Sequence, residues 1–216
     1  MQDRGPADGP PSHKAMTART GARAVPTLQR LLAEVRACRL REPHLPLGPR
    51  PILRAAATAR LLIVGQAPGT RVHETGIPWN DPSGELLREW LAVDRGTFYD
   101  ESRIAIIPTG LCYPGRKASG DAPPRPECAP RWHPPLLAAL PRVELILLVG
   151  QYAQAYYLGP RRKPTLADTV RAWHEYGPRC LPLPHPSPRN KLWLRRNPWF
   201  EAEVVPDLRR QVSRLL

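Results

Sequence analysis

Three short apolar runs constrain the fold of this chain more than any other feature: residues 60–65 (RLLIVG), 103–108 (RIAIIP) and 144–150 (ELILLVG). Each is continuously apolar rather than alternating, and each stops at a glycine or proline. A strand that is apolar on both faces must be covered on both faces, the situation of a parallel sheet between two layers of helices. A weaker fourth run, 179–183, leads into His185. Helical patterns fill the intervals. Residues 25–38 carry Leu28, Leu31, Leu32 and Val35 at helical spacing, and 83–93, 133–140 and 151–158 read the same way. Residues 165–173 begin with a capping box, Thr165 as N-cap and Asp168 three residues on. A last helix is expected from Asn197, with Pro198 in its first position. The expected architecture is therefore α/β: one domain over 25–216, three-layer α/β/α, on a central, mostly parallel four-stranded sheet. Residues 1–24, rich in Gly, Pro and Arg, are expected to be a disordered tail.

A length of 216 residues fits one such domain. The formal charge of +13 is carried almost wholly by arginine, since only Lys14, Lys117, Lys163 and Lys191 are lysines. Such an excess favours a polyanionic partner, because each phosphate contacted releases a counterion; a GC-rich genome produces the same excess with no partner involved. No stretch approaches the roughly 18 apolar residues of a membrane span, and the start lacks the apolar segment of a signal peptide. A cytoplasmic monomer with no membrane partner is expected. In that compartment Cys38, Cys112, Cys128 and Cys180 are not expected to form structural disulfides.

In open α/β sheets the ligand site lies beyond the carboxyl ends of the strands. Three unusual motifs fall there. Gly65-Gln66-Ala67-Pro68-Gly69 follows the first strand, a tight turn that can aim backbone N–H groups at a ligand. The segment 75–84 (TGIPWNDPSG) places Trp79 at the entry to the next helix. His185-Pro186-Ser187-Pro188 follows the last strand, its prolines stiffening the loop that presents His185. Taken singly, each has an ordinary structural explanation: a turn, a core tryptophan and a loop histidine.

Taken in order, the three resemble the uracil-DNA glycosylase superfamily. GQAPG is similar to that family's G-E-A-P-G turn, Gly76-Ile77-Pro78-Trp79 to the segment whose aromatic ring stacks on flipped uracil, and His185-Pro186-Ser187 to its H-P-S loop. The resemblance extends to residues 148–153 (LVGQYA), which look like the family's strand-to-helix junction. It implies a base-excision repair enzyme that extrudes uracil from DNA and hydrolyses the N-glycosidic bond, leaving an abasic site. His185 then stabilises charge developing on uracil O2. Trp79 stacks on the base, and Gln66, Ala67 and Ser187 line the site. Arg189, Lys191 and Arg195 contact phosphates beside Leu192, an apolar side chain suited to fill the gap the base leaves. Arg196 and Trp193 stand in the same cluster.

The chain departs from the family in two places. The amide that reads uracil at the end of the second strand is replaced by Pro108-Thr109, and Ala67 stands where another branch has a water-activating Asp. Asn80 is the expected substitute reader, with Thr109 contributing its hydroxyl, and Asp81 the expected electrostatic stabiliser or base. His73 and Glu74 are second choices. The G-E-A-P-G branch also carries an iron–sulfur cluster, which the resemblance assigns to Cys38, Cys112 and Cys128. Arg41 occupies the fourth ligand position, so an intact four-cysteine cluster would need a substitute such as His44 or Cys180. Catalysis itself requires no cofactor. The alternative reading is a lesion- or abasic-site-binding protein of the same fold with little turnover.

Overall fold

Four parallel strands form the centre of the molecule, in the order β2-β1-β5-β6: β1 (Leu61–Val64), β2 (Ile104–Ile106), β5 (Leu145–Val149) and β6 (Cys180–Leu183). The structure is a computed structural model, and it describes residues 27–40, 42–118 and 120–216. The expected tail and Arg41 lie outside the described residues. Leu61 pairs with Ile104 on one side and Leu145 on the other, so β1 sits between β2 and β5. A small antiparallel hairpin, β3 (Arg116–Lys117) and β4 (Gly120–Asp121), follows β2.

The strand residues divide by parity. Leu62, Val64, Ala105, Ile146 and Leu148 face one layer, built from α1 (Leu28–Arg36), α5 (Cys128–Ala138) and α6 (Gln151–Leu158). Leu61, Ile63, Ile104, Ile106, Leu145 and Leu147 face the other, built from α3 (Pro82–Leu91), α7 (Leu166–Arg171) and α9 (Val205–Leu215). Burying such a side chain contributes roughly 1.5–3 kcal/mol. Exposed pairs such as Arg60–Glu144 contribute little, because water screens both charges, so burial on two faces holds the sheet together. Short helices α2 (Thr70–Thr75), α4 (Arg95–Tyr99) and α8 (Lys191–Arg196) complete the chain.

Thr165 caps α7 as expected, its hydroxyl accepting from Asp168 N–H at 3.1 Å; the Asp168 carboxylate accepts from that hydroxyl at 2.6 Å rather than from the Thr165 N–H of a reciprocal capping box. Two helix boundaries differ from the sequence reading. Helix α5 begins at Cys128 rather than at 133 and runs through Pro134 and Pro135; burial of Trp132, His133 and Leu136 outweighs the two missing N–H donors. The expected last helix is divided. After α8, a π-helical turn (Phe200–Val204) feeds α9, whose first turn holds Pro206. Pro206 cannot donate to the preceding turn and its ring crowds a carbonyl there, and the wider turn accommodates both.

Candidate active site

The carboxyl ends of the strands open into a cavity of about 570 Å³, lined by the GQAPG turn, Pro78, Trp79, Asp81, Pro108, His185, Ser187 and Arg189 among others. The three motifs thus converge on one site, although about 120 residues of chain separate the first from the last.

Trp79 determines the local geometry. Its backbone is left-handed, with φ of 56°, a conformation costing a non-glycine residue roughly 1–2 kcal/mol. The surroundings hold it there. Tyr99 donates its hydroxyl to Pro78 O at 2.9 Å, Asp81 Oδ1 accepts from Gly84 N–H at 2.9 Å, and α3 starts directly after. Both flanking glycines follow from this arrangement. A Cβ at Gly65 would stand 2.9 Å from the indole, and a Cβ at Gly84 would overlap the Trp79 carbonyl. The indole lies beside the imidazole of His185, ring centres 5.5 Å apart.

His185 is anchored by its backbone: Asn190 donates its side-chain amide to the His185 carbonyl at 2.7 Å, and the Cβ of His185 rests against Gly150, whose φ is 85°. Neither ring nitrogen has a hydrogen-bond partner among the described residues. Burial lowers the imidazole's pKa below the ordinary histidine value, while the carboxylates of Asp81 and Asp121 act in the opposite sense. The ring is therefore neutral at pH 7 and retains one N–H for a ligand.

Asp121 is the functional candidate missed in the sequence. It lies at the end of the β3–β4 hairpin, lines the cavity, and its Oδ2 would be 3.2 Å from a Cβ at Gly69. The hairpin is held over the site by Gln66, whose Nε2 donates to Ala122 O at 3.3 Å. Gly120, with φ of 133°, lies against the Arg189 guanidinium. The available signal was the Gly120-Asp121 pair, a turn type closing a basic segment between the second strand and Cys128.

Two expected base-reading residues are placed otherwise. Asn80 does not line the cavity; its Oδ1 accepts from Arg95 Nη2 at 3.1 Å. Thr109 is buried behind the wall, its single hydroxyl proton directed to Gln66 O at 2.7 Å with Gly65 O also within reach at 3.1 Å. A hydroxyl or amide that the fold brings within about 3 Å of a protein partner is satisfied there and does not face a ligand. His73 is buried against Tyr113, and Glu74 is exposed outside the cavity. Gln66, Ala67, Trp79, Asp81, Ser187 and Arg189 do line the site, as does Gln151, the first residue of α6. Ser187 caps the turn after β6 by accepting from Arg189 N–H. Lys191, Leu192, Arg195 and Arg196 are exposed on α8, whereas Trp193 is half-buried against Trp199 and Phe200. Leu192, 49 % exposed, is thus the apolar side chain available to a partner.

Cys38, Cys112 and Cys128 are brought near enough for a charge on one to act on the others. Burial pushes the Cys112 thiol up to about 11 and raises that of Cys128. Cys180 is elsewhere, on β6. Among the described residues no group of three or more His, Cys, Asp or Glu is arranged to hold a metal. Cys38, Cys112 and Cys128 supply at most three of the four thiolate ligands of a four-cysteine iron–sulfur cluster, and no fourth cysteine stands with them among the described residues. Among the same residues no helix is long and apolar enough to cross a membrane.

The model of the Uracil DNA glycosylase superfamily matches residues 54–209, from before β1 into α9. The chain is also similar to the solution NMR structure of "a putative Uracil DNA glycosylase" from Methanosarcina acetivorans, at 16% identity over 74% of this chain and 97% of that one, with a TM-score of 0.41.

Proposed function

Starting from the fact that this chain belongs to the uracil DNA glycosylase superfamily, we propose that it is a monofunctional uracil-DNA glycosylase acting in base-excision repair. The observation that carries the reading is the cavity lined by the Trp79 ring, by His185, whose neutral imidazole has no hydrogen-bond partner among the described residues, and by the carboxylates of Asp81 and Asp121.

Uracil within a duplex is out of reach, so the nucleotide is extruded at a cost of a few kcal/mol. Trp79 recovers part of this by stacking on the base. Gln66, its Nε2 fixed on Ala122 O, offers its Oε1 and second N–H to the edge that carries one donor and one acceptor. As the C1′–N1 bond breaks, negative charge grows on uracil O2 and positive charge on the sugar. The His185 N–H stabilises the first. A carboxylate orients the attacking water and stabilises the second. Asp121 suits that role better than Asp81, one of whose oxygens already accepts from Gly84 N–H. No step requires a cofactor.

Incubation with an end-labelled uracil oligonucleotide tests the proposal. We expect strand breakage only after added alkali, because among the described residues no lysine lines the cavity to form a Schiff base. A borohydride-trapped enzyme–DNA adduct would contradict the monofunctional mechanism. The missing amide beyond β2 favours the second reading, a lesion-binding protein with little turnover; tight binding of the oligonucleotide with no abasic product would establish it.

Two further results are expected. In a His185→Ala background, where substrate persists, Trp79→Ala should weaken binding of uracil-containing DNA by about tenfold to a hundredfold, the value of one stacked base. Trp79→Phe should retain most of the affinity, and equal losses in both would remove stacking from the account. Replacing Lys191 and Arg195 by alanine should lower the slope of log affinity against log salt by about 0.9 for each phosphate no longer neutralised. An unchanged slope places the DNA on another face.

A further inference from the structure

His133 is 1 % exposed, lies on α5 and does not line the cavity, yet both of its ring nitrogens are engaged. Nε2 is 3.0 Å from Pro108 O and Nδ1 is 2.7 Å from the Tyr157 hydroxyl. A carbonyl only accepts, so Nε2 carries the proton and donates to Pro108, while Tyr157 donates to Nδ1. The neutral tautomer is thereby fixed, in agreement with burial lowering the pKa of the ring to about 4.

This link ties three parts of the pocket together. Pro108 forms the cavity wall at the end of β2, and Tyr157 lies on α6, the helix whose first residue, Gln151, also lines the cavity. The two residues after Pro108 are committed as well. Thr109 N–H donates to Gly65 O at 2.9 Å and Gly110 N–H to Gln66 O at 2.8 Å. The strand-end backbone therefore spends its donors on the GQAPG turn and directs its Pro108 carbonyl to His133, on the side away from the cavity. What remains facing the base at this point is the proline ring.

We infer that His133 is a positioning residue of the base pocket: through its hydrogen bonds to the Pro108 carbonyl and the Tyr157 hydroxyl it fixes the wall formed by the end of β2 and the GQAPG turn joined to it. The inference rests on the glycosylase reading for its catalytic consequence but not for its structural one. Freed from His133, the carbonyl becomes an unpaired acceptor, and the wall carrying Gln66 loosens with it.

The test compares His133→Ala, His133→Gln and Tyr157→Phe in the full chain, well below the unfolding temperature of each. Amide hydrogen exchange at Thr109 and Gly110 is read beside single-turnover uracil excision and DNA affinity. His133→Ala should raise exchange at both amides about tenfold and lower the excision rate about tenfold or more, with DNA affinity within about twofold of wild type. Glutamine, which places an N–H near the Nε2 position, should restore most of both. Tyr157→Phe leaves Pro108 paired and should have the smaller effect; it also serves as the informative variant if alanine at 133 does not fold. Unchanged exchange at Thr109 and Gly110 in every folded variant would overturn the inference. So would raised exchange with an unaltered excision rate, which would leave His133 a purely structural residue. If the wild-type protein excises no uracil, the glycosylase reading fails, and the exchange measurement still decides whether His133 fixes the wall.

Discussion

Replacing His185 by alanine should lower the single-turnover rate of uracil excision by about 10²–10³, the usual loss for a removed oxyanion donor, while DNA affinity changes little. The imidazole is set between Trp79 and Gly150 with no protein partner for its ring nitrogens among the described residues, so its N–H is available to the charge forming on O2. The pH dependence follows from the same burial. The pKa of His185 lies below the ordinary histidine value, so the neutral form persists from pH 8 down past pH 7. The rate should then be flat across neutral pH with respect to this group and fall only on acidification below the ordinary histidine range. A rate for His185→Ala equal to wild type would remove the residue from the mechanism.

Asp121→Asn should cost about 10² in the same rate and should exceed the effect of Asp81→Asn. Both carboxylates act on His185, but their duties differ. Asp81 Oδ1 holds Gly84 N–H and so opens α3 under Trp79. An Asn side-chain oxygen can still accept that N–H, so Asp81→Asn should leave stability nearly unchanged, whereas Asp81→Ala should lower it by roughly 0.5–2 kcal/mol, the value of a missing N-cap. Asp121 has no such side-chain bond among the described residues, and its carboxylate stands by Gly69 at the cavity edge. Thermal unfolding measured beside the excision rate separates the two. Should Asp81→Asn prove the slower enzyme at equal stability, the water belongs to Asp81.

These two residues also illustrate what could be read before the fold was known. Asp81 was legible because it sits in a local signal, one residue ahead of a proline at a helix start. Asp121 was not, since only the hairpin's fold, with Gln66 reaching Ala122 across 56 positions, carries it to the turn after β1. Asn80 failed for the opposite reason: proximity to Trp79 in sequence suggested the base, but Arg95 takes its oxygen.

The sequence by itself determined the sheet, its burial on both faces, the strand ends at which the site lies, and the convergence of GQAPG, Trp79 and His185 there. These depend on patterns averaged over many apolar side chains, each contributing in the same direction. Tertiary structure alone decided which polar groups face the cavity. A single amide, hydroxyl or carboxylate pairs with whichever partner the fold brings within about 3 Å. For Thr109 that partner is the Gln66 carbonyl, 43 positions away, and for His133 it is Pro108, 25 positions away. Such a choice depends on the position of one distant atom, and no local pattern of residues encodes it.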